Sequence, residues 1–541
     1  MKDTYYPLNL IFKTRVIVSF LLLVVVSMPS FADKSALFSE YAIELPFNLT
    51  QPVLAANLLA NPGNELIAFG VSEKGDRQLA IYAFDSQKNT SVLLDLFTLS
   101  HNLFAYDLGV VQTSGLQSLY FLSNRHIFKY QYMADEGGNL PKSGPVMMAT
   151  NDKAVATITK SKSLLQPILS VSSMYLSEKS DVLMDLDFSQ DLNDDQQDDF
   201  ILAQFTELSL WLSQSNNRDL LAQTLTIPSL LKVDGKNVTF KPRELFFVDM
   251  NLDTKSDVVL VETGELLVYQ QNAQGSFNTQ RISIPLADDI EGVNWWDKID
   301  ADGQQLDQSQ LNHKLVETIA DLNGDDLPDL IVRFTQSSGV LDRTNDYEIY
   351  YAQLGQQGLL FEQSPATRIQ SDTTLSDLKL VDLDNDGRQE IMVSSFELGV
   401  SQIISALLSS SIEQDVFIYK MDENQRYPSK PTVSQEVEIT FSLSSGRSGQ
   451  PMVKLQDING DGFKDIIFSE EDEQIKVITA LQDGKRLFNR RAEKYEVKVP
   501  KNATLITHND VNQDNKMDLI LHYSRADSAE RLNKVIVLIA N

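Results

Sequence analysis

The chain has 541 residues and no cysteine, and its 75 aspartate and glutamate residues outnumber 46 lysine and arginine residues, which gives a formal net charge of −29. A charge of this size argues against a general nucleic-acid binder and against electrostatic attachment to an anionic membrane, because both partners are negative. The lack of cysteine excludes disulfides, thiolate metal sites, cysteine nucleophiles and lipidation at a lipoprotein cysteine.

The N-terminus has the pattern of an export signal over residues 1–32. Three basic residues precede the apolar run 16–26, and Ser30-Phe31-Ala32 places small residues three and one positions before the expected cleavage point. The run has 11 residues, whereas a membrane-spanning helix needs ~18. An uncleaved anchor is the alternative interpretation. We therefore expect residues 33–541 to be periplasmic or secreted, with no transmembrane anchor after cleavage.

Strand patterns begin soon after this signal. Short apolar runs bounded by polar turns are typical of buried strands, and residues 42–47 form the first. Two strand units follow, with runs at 53–58, 66–70, 80–84 and 91–96 in the first and at 103–108, 118–122 and 127–132 in the second. The stretch near 135–180 is predicted to be an insertion.

One acidic pattern then recurs six times: Asp at position 1, Asp or Asn at position 3, Asp at position 5, and Asp or Glu at position 9. The copies start 58, 72, 61, 75 and 53 residues apart, a spacing typical of a repeat architecture. The residues at these four positions are Asp191, Asn193, Asp195 and Asp199; Asp249, Asn251, Asp253 and Asp257; Asp321, Asn323, Asp325 and Asp329; Asp382, Asp384, Asp386 and Glu390; Asp457, Asn459, Asp461 and Asp465; and Asp510, Asn512, Asp514 and Asp518.

Oxygen ligands at this spacing point to calcium, a hard cation that takes six to eight oxygens at ~2.3–2.6 Å. Positions 1, 3 and 5 of a tight loop direct their oxygens inward, and the position 9 carboxylate closes the shell. Position 7 adds a backbone carbonyl, from Gln197, Lys255, Leu327, Arg388, Phe463 and Lys516. Hairpin turns that bind nothing are the alternative interpretation, but six copies with the same position 9 carboxylate favour several calcium sites.

Position 12 distinguishes these loops from EF-hands, which carry Glu there and run into a helix. It is apolar in all six copies and falls in a short apolar run typical of a buried strand. Most loops are also preceded by a strand-like stretch, so each is predicted to join two strands of a hairpin. The position 12 residues are Leu202, Leu260, Val332, Val393, Phe468 and Leu521.

Position 6 ranks the loops, because it usually needs a left-handed backbone, which glycine adopts most easily. Glycine stands there in the loops that start at residues 382 and 457, and Asp or Asn, which tolerate that conformation, in the loops at 321 and 510. Gln196 and the β-branched Thr254 suit it poorly. We therefore expect the 382 and 457 loops to bind calcium best and the 191 and 249 loops to bind it least.

The sequences Asp382-Leu383-Asp384-Asn385-Asp386-Gly387 and Asp457-Ile458-Asn459-Gly460-Asp461-Gly462, each followed by an apolar strand, resemble the FG-GAP or VCBS-type repeat. That repeat occurs in the propeller of integrin α-chains and in many exported bacterial proteins. The resemblance covers about residues 180–541 and implies a β-propeller with calcium in a hairpin of each blade. The Gly-Ala-Pro that names the repeat is missing after the second strand, so the chain resembles a divergent member.

The strand units predict an all-β fold in which residues 33–541 form a single β-propeller domain. Two early units plus six motif-bearing units give eight blades, or seven if one early unit is an insertion. The last unit has strands at 504–507, 517–522 and 534–540 and ends one strand short of the four that a blade contains. Residues 42–47 can supply that strand and close the ring, since an open ring leaves unpaired strand edges.

Two further insertions interrupt the blades. Residues 286–312 carry Trp295-Trp296 among acidic residues, and these rings either stack on a sugar or partner or fold back over the propeller. Residues 397–414 have apolar side chains at helical spacing, which predicts a helix that docks a partner or packs on the propeller face.

No sequence signature of a catalytic site is present: the zinc-protease, nucleophile-elbow and phosphate-loop motifs are all missing, and none of the five histidines pairs at metal-ligand spacing. We therefore expect an exported calcium-binding propeller that acts as a binding or assembly scaffold for a protein or glycan ligand. A calcium-dependent polysaccharide lyase on the same fold is the alternative, and a lectin-like module is a third interpretation. A lyase should carry a basic residue beside a metal.

Overall fold

The computed structural model describes residues 37–541 apart from 86–87, 89, 133–163, 176–180, 215–216, 235–236, 242, 299–305, 340–341, 357, 372, 397–410, 443–446, 449, 451, 471 and 482–485. The predicted export signal lies outside the described residues. So do the apolar positions on which the helix in 397–414 was predicted, and most of the insertion predicted near 135–180. No helix within the described ranges is both long enough and apolar enough to span a bilayer.

Eight sheets follow one another around a ring, so the chain is an all-β, eight-bladed β-propeller, as predicted. Strand β1 spans Phe38–Glu44. Blade one contains β2 (Asn48–Leu49), β3 (Leu54–Ala56), β4 (Glu65–Val71), β5 (Arg77–Asp85) and β6 (Thr90–Thr98). Blade two contains β7 (Leu103–Leu108), β8 (Leu119–Ser123), β9 (His126–Gln131), β10 (Leu164–Ser170) and β11 (Met184–Asp185).

Blades three and five carry extra hairpins beside their main sheets. Blade three contains β12 (Ser189–Gln190), β13 (Asp199–Ala203), β14 (Glu207–Gln214) and β15 (Asn217–Thr226), followed by the hairpin β16 (Leu230–Asp234) and β17 (Asn237–Lys241). Blade four contains β18 (Leu245–Val248), β19 (Asp257–Glu262), β20 (Glu265–Tyr269) and β21 (Ile282–Pro285). Blade five contains β22 (Ile290–Glu291), β23 (Leu311–Ala320), β24 (Asp329–Gly339), β25 (Asp342–Tyr350) and β28 (Thr367–Ile369), with the hairpin β26 (Ala352–Gly355) and β27 (Gly358–Phe361).

The last three blades complete the ring. Blade six contains β29 (Thr374–Val381), β30 (Glu390–Phe396), β31 (Ser411–Tyr419), β32 (Val433–Ser442) and β33 (Arg447–Ser448). Blade seven contains β34 (Val453–Gln456), β35 (Asp465–Glu470), β36 (Gln474–Ile478) and β37 (Glu493–Glu496), and blade eight contains β38 (Ile506–Asn509), β39 (Asp518–His522) and β40 (Lys534–Ala540). The described helical turns are 3-10 segments at Trp295–Asp297, Gln308–Gln310, Ala503–Leu505 and Ala529–Arg531.

The N-terminal strand closes the ring, as predicted. Strand β1 pairs antiparallel with β40 from Phe38 opposite Ala540 to Glu44 opposite Lys534, and so becomes the fourth strand of blade eight. It begins earlier than the predicted run 42–47. An outer strand alternates between buried and exposed residues, so the first half of β1 contains polar residues and does not form an apolar run. The last strand of the chain is thus paired with the first strand of the described chain.

Eight hydrophobic clusters fill the described ring, and each lies between two successive blades. One of them joins Leu66 of blade one to Ile520 and Val537 of blade eight. The second strand of each blade is buried on both faces, which explains why these strands read as continuous apolar runs and were the easiest to predict. Strand β31 begins at Ser411, inside the predicted insertion 397–414.

Candidate metal-binding loops

Each of the six acidic motifs joins two neighbouring antiparallel strands of one blade, from blade three to blade eight. The loop 457–465, for example, connects β34 to β35, which pair antiparallel with Gln456 opposite Asp465. All six loops are therefore hairpin connections, as the apolar residue at position 12 predicted. Because successive blades place their first hairpins at the same end of the ring, the loops form a row along that end.

The six loops share one hydrogen-bonded frame, which the loop 457–465 illustrates. The backbone N–H groups of Asp461 and Gly462 donate to the Asp457 carboxylate at 3.2 and 2.7 Å, and the N–H of Phe463 donates to Asp461 at 2.9 Å. The same three bonds recur in the other five loops. They hold the side chains at positions 1 and 5 folded into the loop, where a hard cation would take their remaining oxygen lone pairs.

Two residues of every loop adopt the left-handed backbone. Position 6 does so in all six loops, with φ from 59° at Gln196 to 87° at Gly462, so the prediction for this position is confirmed. Position 4 does so as well. No residue pattern marks this position, because the residue there can be as unsuited as Leu252, with φ of 63°. Loop 249–257 therefore carries two unfavourable residues, Leu252 and Thr254, and is the most strained of the six.

The position 9 carboxylate ties its loop to the third strand of the hairpin sheet. Asp518 is fully buried, and it accepts the backbone N–H of Val511 at position 2 and that of Ala540 at the end of the third strand, both at 2.9 Å. Four other loops make the same pair of bonds through Asp199, Asp257, Asp329 and Asp465. Burial raises the pKa of Asp518 to about 7 and that of Asp465 to about 6. The group predicted as a ligand also fixes the loop to its sheet.

Loop 382–390 differs because its position 9 residue is glutamate. The Glu390 Oε2 atom accepts the N–H of Leu383 at 2.8 Å, but the buried Oε1 atom accepts no hydrogen bond, and neither does Oδ1 of Asp384. Oxygens of Asp382, Asp384 and Glu390 lie within 4.8 Å of one another, and no other cluster of three His, Cys, Asp or Glu residues in the described chain is as compact. Unpartnered buried oxygens in such a group fit a bound cation.

A lysine missed by the sequence reasoning enters this loop. The Lys420 ammonium contacts Asp384 and lies 3.3 Å from Asp386 and 3.7 Å from Glu390 Oε1. Burial alone lowers the pKa of Lys420, but its bond to Asp384 and the charges of Glu390 and Asp386 raise it overall, so the group is an ammonium ion. Because Gly387 occupies position 6, the sequence predicted this loop to be among the best calcium sites. The structure instead places the Lys420 ammonium group among the side chains predicted to bind calcium.

The side chain at position 2 couples each loop to the neighbouring blade. Leu322 of blade five lies in the same cluster as Ile391 of blade six, and Val511 of blade eight lies with Leu66 of blade one. The other members of this set are Leu192, Met250, Leu383 and Ile458, each in the cluster shared with the next blade. Successive loops also bond directly: the Gln389 N–H donates to the Leu322 carbonyl at 3.0 Å. Order in one loop therefore supports the interface beside it.

Blade one has a related connection without the acidic motif. Glu65 begins its second strand, is fully buried, and accepts the N–H groups of Leu58 and Leu59 at 2.8 and 3.0 Å. This reproduces one bond of the position 9 carboxylate in the other blades. Sequence reasoning missed it because the residues before Glu65 are not acidic.

The tryptophan pair of the 286–312 insertion is divided between core and solvent. Trp295 is buried and Arg343 lies 5.6 Å from its ring centroid, whereas Trp296 is 42% exposed and Arg333 lies 5.9 Å from its ring. Trp295 is thus folded back into the core, as one interpretation of the pair predicted, whereas the Trp296 ring is exposed to solvent.

A cleft of about 480 Å³ lies between blades five and six. Its lining combines the rings of Phe417 and Tyr419 with the Asp346 carboxylate, the Gln370 amide and several hydroxyl groups. Gln370 donates to Asp346 at 3.2 Å, and Asp346 is almost fully buried, which raises its pKa. Aromatic faces beside fixed polar groups suit a ligand with both apolar and hydroxyl surface.

Basic side chains lie on the first strands of blades six to eight. Burial lowers the pKa of Lys454 to about 8, and the nearby charge of Lys379 lowers it further in the same direction. Burial and these two lysines also lower the pKa of His508 to about 4, and Gln456 contacts the His508 ring at 2.8 Å. Within the described structure no carboxylate lies within 4 Å of these three basic groups.

No family model matches the sequence, and no curated protein matches it. Among solved structures the chain is similar to a lectin of Agrocybe aegerita that recognises non-reducing terminal N-acetylglucosamine, with 14% identity, 86% of this chain and 96% of that chain covered and a TM-score of 0.41. It is also similar to the biofilm matrix protein Bap1 of V. cholerae, with 11% identity, 92% of this chain and 89% of that chain covered and a TM-score of 0.33. A third similar structure is the WD40 domain of SCAP from fission yeast, with 10% identity, 93% of this chain and 94% of that chain covered and a TM-score of 0.32. The eight-bladed fold follows from the strand order described above.

Proposed function

We propose that this protein is an exported, calcium-binding β-propeller that serves as a scaffold for binding a glycan or protein ligand, and that it is a divergent relative of the FG-GAP and VCBS-type repeat proteins. The observation that carries the proposal is the repetition of one oxygen-rich loop frame in six consecutive blades. Each loop has at least three carboxylates, and oxygen ligands of this kind select calcium over softer metals.

Calcium in these loops would act on the stability of the ring. The carboxylates at positions 1, 5 and 9 repel one another without a cation, and each loop inserts its position 2 side chain into the interface with the next blade. A ligand that binds only the folded loop stabilises the fold by about 2.7 kcal/mol per site at a hundredfold excess over its dissociation constant. Several sites acting together would therefore stabilise an exported protein that lacks disulfides.

Titration of chelator-treated protein with CaCl₂ tests the calcium part of this proposal. We expect saturable binding of several ions per chain, weakened when Asp457 or Asp510 is replaced by asparagine. Lys516→Met is a matched control, because it changes a loop side chain that is predicted to contribute only its backbone carbonyl. The absence of any calcium binding at millimolar CaCl₂ would contradict the proposal.

The cleft between blades five and six is the ligand site that we propose. Asp346 and Gln370 present fixed polar atoms beside the Phe417 ring, an arrangement that suits a sugar with hydroxyls on its edge and C–H groups on its face. In a glycan-binding screen, Asp346→Asn should weaken binding of a captured glycan at least tenfold. Val111→Ala, an exposed apolar side chain outside the cleft lining, is the control. A calcium-loaded protein that binds neither a glycan nor an envelope protein would contradict the scaffold function.

A polysaccharide lyase is the second candidate, and Lys454 is the observation that favours it. A lyase base must be neutral at working pH, and the pKa of Lys454, lowered to about 8 by burial and by Lys379, approaches that requirement. Lys420 fails it because its pKa is raised. Release of unsaturated products from pectic substrates, abolished in Lys454→Met, would establish the lyase. No turnover with a panel of uronate polymers would exclude it in favour of the scaffold.

A further inference from the structure

We propose that Lys420 serves as the built-in cation of loop 382–390 and keeps this loop from taking up calcium, so that blade six is held by an ammonium ion while the other motif-bearing blades depend on metal. The inference rests on the proposed function, because it presupposes that the remaining loops bind calcium. It reverses the order expected from sequence, in which this loop ranked first.

The position of the ammonium group is the first support. Lys420 Nζ contacts Asp384 at position 3 and lies 3.3 Å from Asp386 at position 5 and 3.7 Å from Glu390 at position 9. These are three of the positions predicted to ligate calcium. The side chain is about one quarter exposed, and Glu390 is fully buried, so the positive charge is directed inward to a carboxylate without a hydrogen-bond donor on Oε1. A divalent ion would have to displace the ammonium to reach the same oxygens.

The charge balance of the loop is the second support. Loop 382–390 is the one motif with Asp rather than Asn at position 3, so four carboxylates occupy positions 1, 3, 5 and 9 where the other loops have three. Lys420 lowers the charge at these four positions from −4 to −3, the value at the same positions of the other loops, and Arg388 at position 7 also lies 3.3 Å from Asp386. In the described structure the carboxylates at these positions in the other five motifs have no lysine or arginine nitrogen within 4 Å, so the pairing is specific to blade six.

The strand register is the third support. Lys420 follows Tyr419, which lies opposite Ile391 just after Glu390. This register places the lysine across from position 9. The residues at the equivalent point of the other motif-bearing blades are uncharged: Leu212, Gln270, Tyr351, Thr479 and Ile539. The sequence therefore supplies a tethered cation at this blade and at none of these five.

Calcium stoichiometry of the full chain tests the proposal. Equilibrium dialysis at several free calcium concentrations would compare the wild-type protein with Lys420→Met, which keeps the length of the side chain and removes its charge. We expect Lys420→Met to bind one more ion per chain, with at least a tenfold gain in affinity at loop 382–390. Lys420→Arg should bind the wild-type number. Adding Asp384→Asn to Lys420→Met should abolish the gain, which would locate the extra ion in this loop.

The outcomes separate this inference from the proposed function. If wild type and Lys420→Met bind the same nonzero number of ions with the same affinities, the inference is overturned while the calcium proposal stands. If neither binds calcium, the proposed function fails and the inference fails with it. Lys420→Gln provides a second uncharged variant that can still donate to Asp384, and it should also gain the ion, so a folding defect of Lys420→Met would not remove the test.

Discussion

The position 9 carboxylate should stabilise each blade even without metal, and Asp518→Asn measures this. The Asp518 carboxylate accepts two buried backbone N–H groups at 2.9 Å, one from Val511 and one from Ala540. Asparagine offers one oxygen and turns an NH₂ group towards the other N–H. The substitution therefore removes one hydrogen bond and leaves a buried N–H donor unpaired, at a cost of about 1–3 kcal/mol.

Glu390→Gln is the matched comparison, because only Oε2 of Glu390 accepts a backbone N–H and Oε1 accepts none. Glutamine can keep that single bond, so we expect a loss below about 1 kcal/mol. Urea unfolding at pH 5 in excess chelator would measure both variants with metal binding removed and with these buried groups protonated, because burial raises the pKa of Asp518 and of Glu390 to about 7. Equal losses for Asp518→Asn and Glu390→Gln, or no loss for Asp518→Asn, would refute the assignment of two structural hydrogen bonds to the aspartate.

Three further predictions follow from the loops and the ring. Thr254→Gly should stabilise the chelated protein by about 1 kcal/mol in urea unfolding, because Thr254 has φ of 70°, and Gly462→Thr should destabilise it; no difference between the two would argue against strain at position 6. Deleting residues 37–44 removes the strand paired with β40. The deletion should lower the melting temperature by several degrees and promote association through the exposed strand edge, which light scattering would detect. A monomer with an unchanged melting temperature would contradict ring closure by β1. Burial raises the pKa of Asp329 and Asp518 from 3.8 to about 7, so their protonation stabilises the metal-free fold at low pH, and this contribution is lost as pH rises towards 7. The increase in melting temperature caused by calcium should therefore be larger at pH 8 than at pH 5. An increase that does not change with pH would count against these groups as ligands.

The blades and the loop ends were predictable because their signals are local. Apolar runs such as Val258 to Leu260 are buried on both faces and read directly as second strands. The motif spacing located all six hairpins, and the glycines at 387 and 462 identified position 6 as left-handed. The closing strand followed from counting strands in the last unit. These features depend on residues close together in the chain, so the conformation could be predicted from the local residue pattern without knowledge of the ring.

The features that sequence reasoning missed depend on contacts across strands. Lys420 is 30 residues from Glu390, and only the register of β30 and β31 shows that it enters the loop. The second hydrogen bond of Asp518 comes from Ala540 on another strand. The left-handed residue at position 4 carried no signal, because the loop frame imposes this conformation on Leu252 against its own preference. The hairpin of β16 and β17 lies outside the repeated strand units, so the repeat pattern did not predict it.

The melting temperature of one preparation, measured in excess chelator and in millimolar CaCl₂ alongside elemental analysis of bound metal, tests the central claim most directly. Calcium-loaded loops should raise the melting temperature, and several calcium ions should remain with the protein after desalting. Identical melting curves under the two conditions, with no metal retained, would show that the oxygen-lined loops hold the propeller together without calcium.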